Sequence, residues 1–83
     1  MLDVIIIPSE TVDNDIPVGD IDGVNTTFST TFDYTSGSLK VYLNGLRQKS
    51  GLGNDYIESG SNGLVMNVPP EIGDVLIVDY LKD

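Results

Sequence analysis

Cysteine and histidine are absent from this chain, and each absence closes a class of function. Without cysteine there is no disulfide framework, and without either residue a structural zinc site is excluded in practice. The same absences remove the usual general base and the strongest nucleophile, leaving carboxylates, Tyr, Lys, Ser and Thr for any chemistry. An enzyme is therefore not expected, nor is a cofactor. Basic residues are scarce too, four against thirteen acidic ones, for a net charge of −9. Nucleic-acid binding depends on cations that displace counterions from phosphates, so neither nucleic acid nor an anionic membrane is an expected partner. Long apolar runs are missing: Val4 to Ile7 is far too short to span a bilayer, and the N-terminus lacks the basic start and apolar stretch of a signal peptide. The expectation is a soluble, cytosol-made protein whose acidity limits self-association.

The 83 residues that are present make one domain with a thin core, since at this size folding hides only about 60 to 65% of the extended chain's surface. Oligomerisation or docking on a larger body is the remaining common reinforcement. Asn44-Gly45, between the alternating residues of GSLKVYLNGLRQ, is the clearest local signal, because Asn-Gly favours the two-residue type I′ hairpin turn. That turn pairs Leu43 with Leu46, Tyr42 with Arg47, Val41 with Gln48 and Lys40 with Lys49. Leu39, Val41, Leu43 and Leu46 then share one face, the expected core side. Lys40, Tyr42, Arg47 and Lys49 share the other, which gathers three of the four basic residues.

Around the hairpin, Leu2 to Ile7 reads as a first strand ended by Pro8. Ser9 to Asn25 reads as a long acidic loop or arm, with room for a short strand at Ile16 to Val18. Thr26 to Phe32, Asp55 to Glu58, Leu64 to Val68 and Asp74 to Leu81 read as further strands, separated by Gly- and Pro-containing turns. No segment carries a helical repeat of useful length. The pattern predicts an all-β fold, a small antiparallel β-sandwich or open barrel of about six to seven short strands. Residues 1–25 would form an N-terminal strand and acidic arm, and 26–83 the β module.

Both terminal strands are apolar on both faces, whereas a strand with one wet face alternates. In the last, Val75, Ile77 and Leu81 point one way and Leu76, Val78 and Tyr80 the other. One face is expected to meet a second subunit or a partner, with Leu76, Val78 and Tyr80 assigned to that interface.

Two clusters invite a chemical reading. DNDIPVGDIDG gathers oxygen ligands of the kind calcium needs, with Asp20 and Asp22 as its weak metal candidates, but the spacing departs from the EF-hand pattern. A solvated acidic loop with an Asp22-Gly23 turn accounts for the same residues, and no metal is expected. On the basic hairpin face, Lys40 opposite Lys49 sets like charges across a strand pair, which costs stability unless something negative lies nearby. The protein's own carboxylates or solvent can serve; so can an acidic patch on a partner, with Arg47 and Tyr42 as anchors.

DGVNTTF (Asp22 to Phe28), SLKVYLNGLRQ (Ser38 to Gln48), Asp55-Tyr56 and the closing Pro70 to Asp74 turn with its apolar strand stand in this order. Together they resemble a small β-sandwich module of tailed-bacteriophage virion proteins, found in tail fibres and other head or tail appendages. The resemblance implies a non-enzymatic virion structural module that is repeated or oligomeric and contacts capsid or tail subunits. The chain starts with Met and stops after the module, with no shaft or trimerisation repeat, so the expectation is a decoration or accessory subunit located in the virion. A tail-fibre or baseplate module that binds a receptor or glycan is the alternative, with Asn25, Tyr34 and Tyr56 offered to a sugar.

Overall fold

A computed structural model describes residues 10–83; the strand expected at Leu2 to Ile7 lies outside them. The described residues form seven strands and no helix: β1 (Thr11–Asp15), β2 (Thr27–Ser29), β3 (Lys40–Leu43), β4 (Leu46–Arg47), β5 (Tyr56–Ser59), β6 (Gly63–Met66) and β7 (Leu76–Leu81). They build two antiparallel sheets, one ordered β1-β7-β3-β4 and the other β2-β6-β5. The chain crosses between sheets after β1, β2, β4 and β6, as expected of a sandwich rather than a closed barrel.

Asn44 and Gly45 adopt φ of 52° and 82°, the left-handed pair a type I′ turn requires, and the predicted Tyr42–Arg47 and Leu43–Leu46 pairs follow. The Gln48 N–H donates to the Val41 carbonyl at 2.8 Å, which continues the register one step further. There it ends. Lys49 leaves the ladder: its carbonyl accepts from the Asp55 and Tyr56 amides as the chain turns toward the other sheet. Lys40 instead has Asp79 of β7 as its cross-strand partner, so the expected Lys40–Lys49 pairing does not form.

Parity along the strands sorts the core. Leu39 and Val41 of the hairpin and Leu76, Val78 and Tyr80 of β7 face Phe28, Tyr56, Leu64 and Met66 of the smaller sheet, with Tyr34 beside them. Because Val41 pairs with Val78, both side chains must share a face, and that face is the interior. This corrects the assignment of Leu76, Val78 and Tyr80 to a partner interface: they are 2%, 0% and 2% exposed inside the monomer. The outward face of β7 carries Ile77, Asp79 and Leu81, with Val75 just before the strand. Leu46, expected in the core, is also corrected to an exposed position, because β4 is only two residues long and its first residue sits at the hairpin tip.

The acidic segment is a second correction. Thr11–Asp15 is a strand rather than loop, paired antiparallel with β7 through Thr11–Leu81, Val12–Tyr80 and Asp15–Val78. Asp13 and Asn14 together oppose the single residue Asp79, a bulge with Asn14 at φ 57° whose N–H donates to the Asp79 carboxylate at 2.8 Å. Thr11–Asp15 is thus part of the larger sheet rather than a free arm. Val18 does pair, by an isolated bridge to Ser29.

Candidate interaction surface

The basic face survives folding, and the crossing from β4 to β5 reshapes it. Lys40, Arg47 and Lys49 line one open cleft of about 390 Å³ with Gly37, Leu39, Gln48, Ser50 and Tyr56. Tyr42, the fourth residue predicted for this face, lies half-buried between its cross-strand partners Arg47 and Ile77. The outward row of β7 therefore joins the basic face through Ile77, a continuity hidden from the sequence because β3 and β7 are far apart along the chain.

Half of the twelve acidic side chains among the described residues have a structural task. Six carboxylates accept hydrogen bonds from backbone N–H groups: Asp15 from Thr31, Asp22 from Val24 and Asn25, Asp55 from Lys49, Glu58 from Gly37 and Leu39, Asp74 from Glu71, and Asp79 from Asn14. Loops leave amides without ladder partners, and a short ionised side chain is a strong acceptor for them. Burial pushes the Asp15 carboxyl up, yet hydrogen bonds from the Thr31 hydroxyl and amide and from the Tyr80 hydroxyl outweigh it and hold the group below its ordinary value. The Asn25 and Val24 amides lower Asp22, and the Asn44 side chain and Glu71 amide lower Asp74.

These contacts account for the motifs behind the family resemblance. Asp22 and Asn25 of DGVN close the entry loop, where the Asn25 amide group also donates to the Asp20 and Thr27 carbonyls. Asp55 holds the Lys49 amide, while buried Tyr56 donates its hydroxyl to the Leu39 carbonyl across the sandwich. Asp74 clips both its own turn and the Asn44 side chain, whose Oδ1 accepts from the Val75 amide. Asp22 thus closes its turn through one carboxylate oxygen, which accepts both the Val24 and the Asn25 amide. Among the described residues no three carboxylates gather in one place.

Tyr34 and Tyr56, offered above to a sugar, are 4% and 3% exposed, and their hydroxyls donate to the Gly63 and Leu39 carbonyls. Burial raises the pKa of both phenols. Neither ring is available for stacking, which corrects that assignment.

A feature not anticipated from the sequence lies at the hairpin-tip end. Val24, Leu46, Leu52, Val68, Ile72 and Val75 are each more than half exposed there, six of the ten large exposed apolar residues in the described part. The loops that carry five of them, all but Leu52, are tied together: the Gly23 N–H donates to the Pro70 carbonyl and the Asn44 N–H to the Val75 carbonyl, both at 2.8 Å. Leu43, Val68, Pro69 and Asp74 line a common cleft of about 240 Å³. Leu52 reaches 94% exposure on the loop between β4 and β5. Comparison with protein-family models, curated proteins and solved structures finds no match to this chain.

Proposed function

We propose that this protein is a non-enzymatic structural subunit of a bacteriophage virion, a small decoration or accessory protein that docks on capsid, neck or tail through the hairpin-tip end of its sandwich. The observation that carries the docking step is the gathering of six exposed apolar side chains on loops braced by hydrogen bonds. Exposed apolar side chains brought together on linked loops gain by being covered, whereas those scattered singly need no partner. The virion assignment is supported by the resemblance of the DGVNTTF, SLKVYLNGLRQ and Pro70 to Asp74 segments, whose residues act as scaffold and leave the surface free to specialise. The mechanism is shape and burial: at about 25 cal/mol per Å² of apolar area covered, even a modest contact repeated over many copies holds a particle surface.

Sedimentation of purified particles with added protein tests this reading. The wild-type chain is expected to pellet with particles, and the double variant Ile72→Asp, Val75→Asp to stay in the supernatant while keeping its fold. Failure of the wild-type chain to associate with any capsid, neck or tail preparation would overturn it.

A further inference from the structure

Lys40, Arg47 and Lys49 form no ion pair among the described residues, although the chain has thirteen carboxylates. The fourth base, Lys82, does have partners, 3.4 Å from Glu10 and 4.1 Å from the Phe32 ring centre. The carboxylates nearest the cleft are committed elsewhere. Glu58 accepts from the Gly37 amide at 2.8 Å and the Leu39 amide at 3.3 Å, Asp55 from the Lys49 amide at 2.8 Å, and Asp79, across from Lys40, from the Asn14 amide at 2.8 Å. An acceptor fixed on amides keeps its charge but not its freedom to swing toward a lysine. Three cations are left around one opening in an otherwise acidic protein.

We infer that this cleft binds an acidic segment of a partner protein, a short stretch presenting two or more carboxylates. Arg47 offers the planar fork that takes a carboxylate in two parallel hydrogen bonds, and Lys40 and Lys49 add point charges on either side. Gln48 and Ser50 complete a polar lining. The overall charge selects the class of ligand. A long polyanion such as nucleic acid, or an anionic membrane, extends beyond three cations and onto a surface of net charge −9, whereas isolated carboxylates on a folded neighbour do not. The inference rests on the docking function above only in taking the partner to be a protein.

Nuclear magnetic resonance titration of the isotope-labelled full chain with hexaglutamate, hexalysine and inorganic phosphate tests it. At roughly 0.1 M salt the screening length of about 10 Å damps the overall repulsion and spares contact pairs. Hexaglutamate is expected to shift the amides of residues 37–50 saturably, and hexalysine not to. Lys40→Gln, Arg47→Gln and Lys49→Gln should each weaken binding roughly two- to fivefold, and Lys82→Gln should leave it unchanged. No saturable shift with hexaglutamate overturns the proposal, as does an equal loss in Lys82→Gln. Phosphate that saturates the same amides at the same concentration and displaces the peptide marks a general anion site and also overturns it. Particle sedimentation reports separately, so peptide binding without particle binding removes the docking function alone, and the reverse removes the cleft alone.

Discussion

Replacing Val78 with alanine and, separately, its neighbour Ile77 with alanine distinguishes the interior face of β7 from the outward one. Val78 is fully buried between its cross-strand partners Asp15 and Val41. Its truncation removes two carbons from the core at about 0.8 kcal/mol each and leaves a cavity the rigid sheets cannot close, for a total of about 2 to 3 kcal/mol. Ile77 loses three carbons, but they are half-solvated and water fills the space, so the cost is about 1 kcal/mol. An 83-residue domain holds on the order of 4 to 12 kcal/mol in all, so Val78→Ala removes a large fraction of it. Urea unfolding followed by tyrosine fluorescence reads both. With a slope near 1 kcal/mol per molar, the midpoint should fall by about 2 to 3 M for Val78→Ala and by about 1 M for Ile77→Ala. Equal shifts, or a larger shift for Ile77→Ala, would refute the assignment of faces and restore Leu76, Val78 and Tyr80 as interface residues.

Gly19→Ala should destabilise by about 2 to 4 kcal/mol in the same assay, since its φ is +151° and an added Cβ would stand 2.4 Å from the buried Phe28 ring and 2.9 Å from the Thr27 carbonyl oxygen. Wild-type stability at Gly19→Ala would show that this loop moves freely. Asn44→Ala loses the left-handed preference and the contacts to Asp74 and Val75, and a cost of about 1 to 3 kcal/mol is expected; Gly45→Ala, with open space around its Cβ, should cost about 1. Thermal melts that rank the two in the opposite order would contradict the turn account. On acidification, Asp15, Asp22 and Asp74 have pKa values lowered on folding, so their stabilisation is complete above the ordinary aspartate value of about 3.9 and is lost as pH falls through the lowered values. Melting temperature should be level from pH 7 to about pH 5 and drop below pH 4; a Thr31→Ala variant, with one Asp15 contact fewer, should show a shallower drop.

The hairpin was legible because its cause is local: two residues tolerant of positive φ between alternating apolar ones fix both turn and register. β1 was not, since TVDND has the composition of a loop, and what makes it a strand is the β7 edge and the Asp79 carboxylate at its bulge, sixty-five residues away. For β7 the parity was plain and the direction was not. Which of two apolar faces turns inward depends on the side where the second sheet packs, and only the Val41–Val78 pairing carries the hairpin's inward parity across to β7. The basic face could be read from the hairpin alone, but its cleft could not, because Ser50 and Tyr56 reach it through the crossing between sheets.

The same division between local and distant causes explains why, among the described residues of so acidic a chain, three cations form no ion pair. A thin sandwich with short strands places many amides in loops, and without disulfides those loops need other clips. Aspartate serves well, since its short side chain reaches a backbone N–H two or three residues on, as Asp22 does, three residues back, as Asp74 does, or one brought close by the fold, as Asp15 and Asp79 do. A carboxylate used this way is fixed by geometry rather than by an opposite charge, so no lysine or arginine is required to balance it. The surface ion pairs that a more even composition would form are each worth at most about 1 kcal/mol, so the fold loses little by lacking them. Lys40, Arg47 and Lys49 are therefore not needed to balance the carboxylates that clip the loops, which leaves the three of them around one cleft.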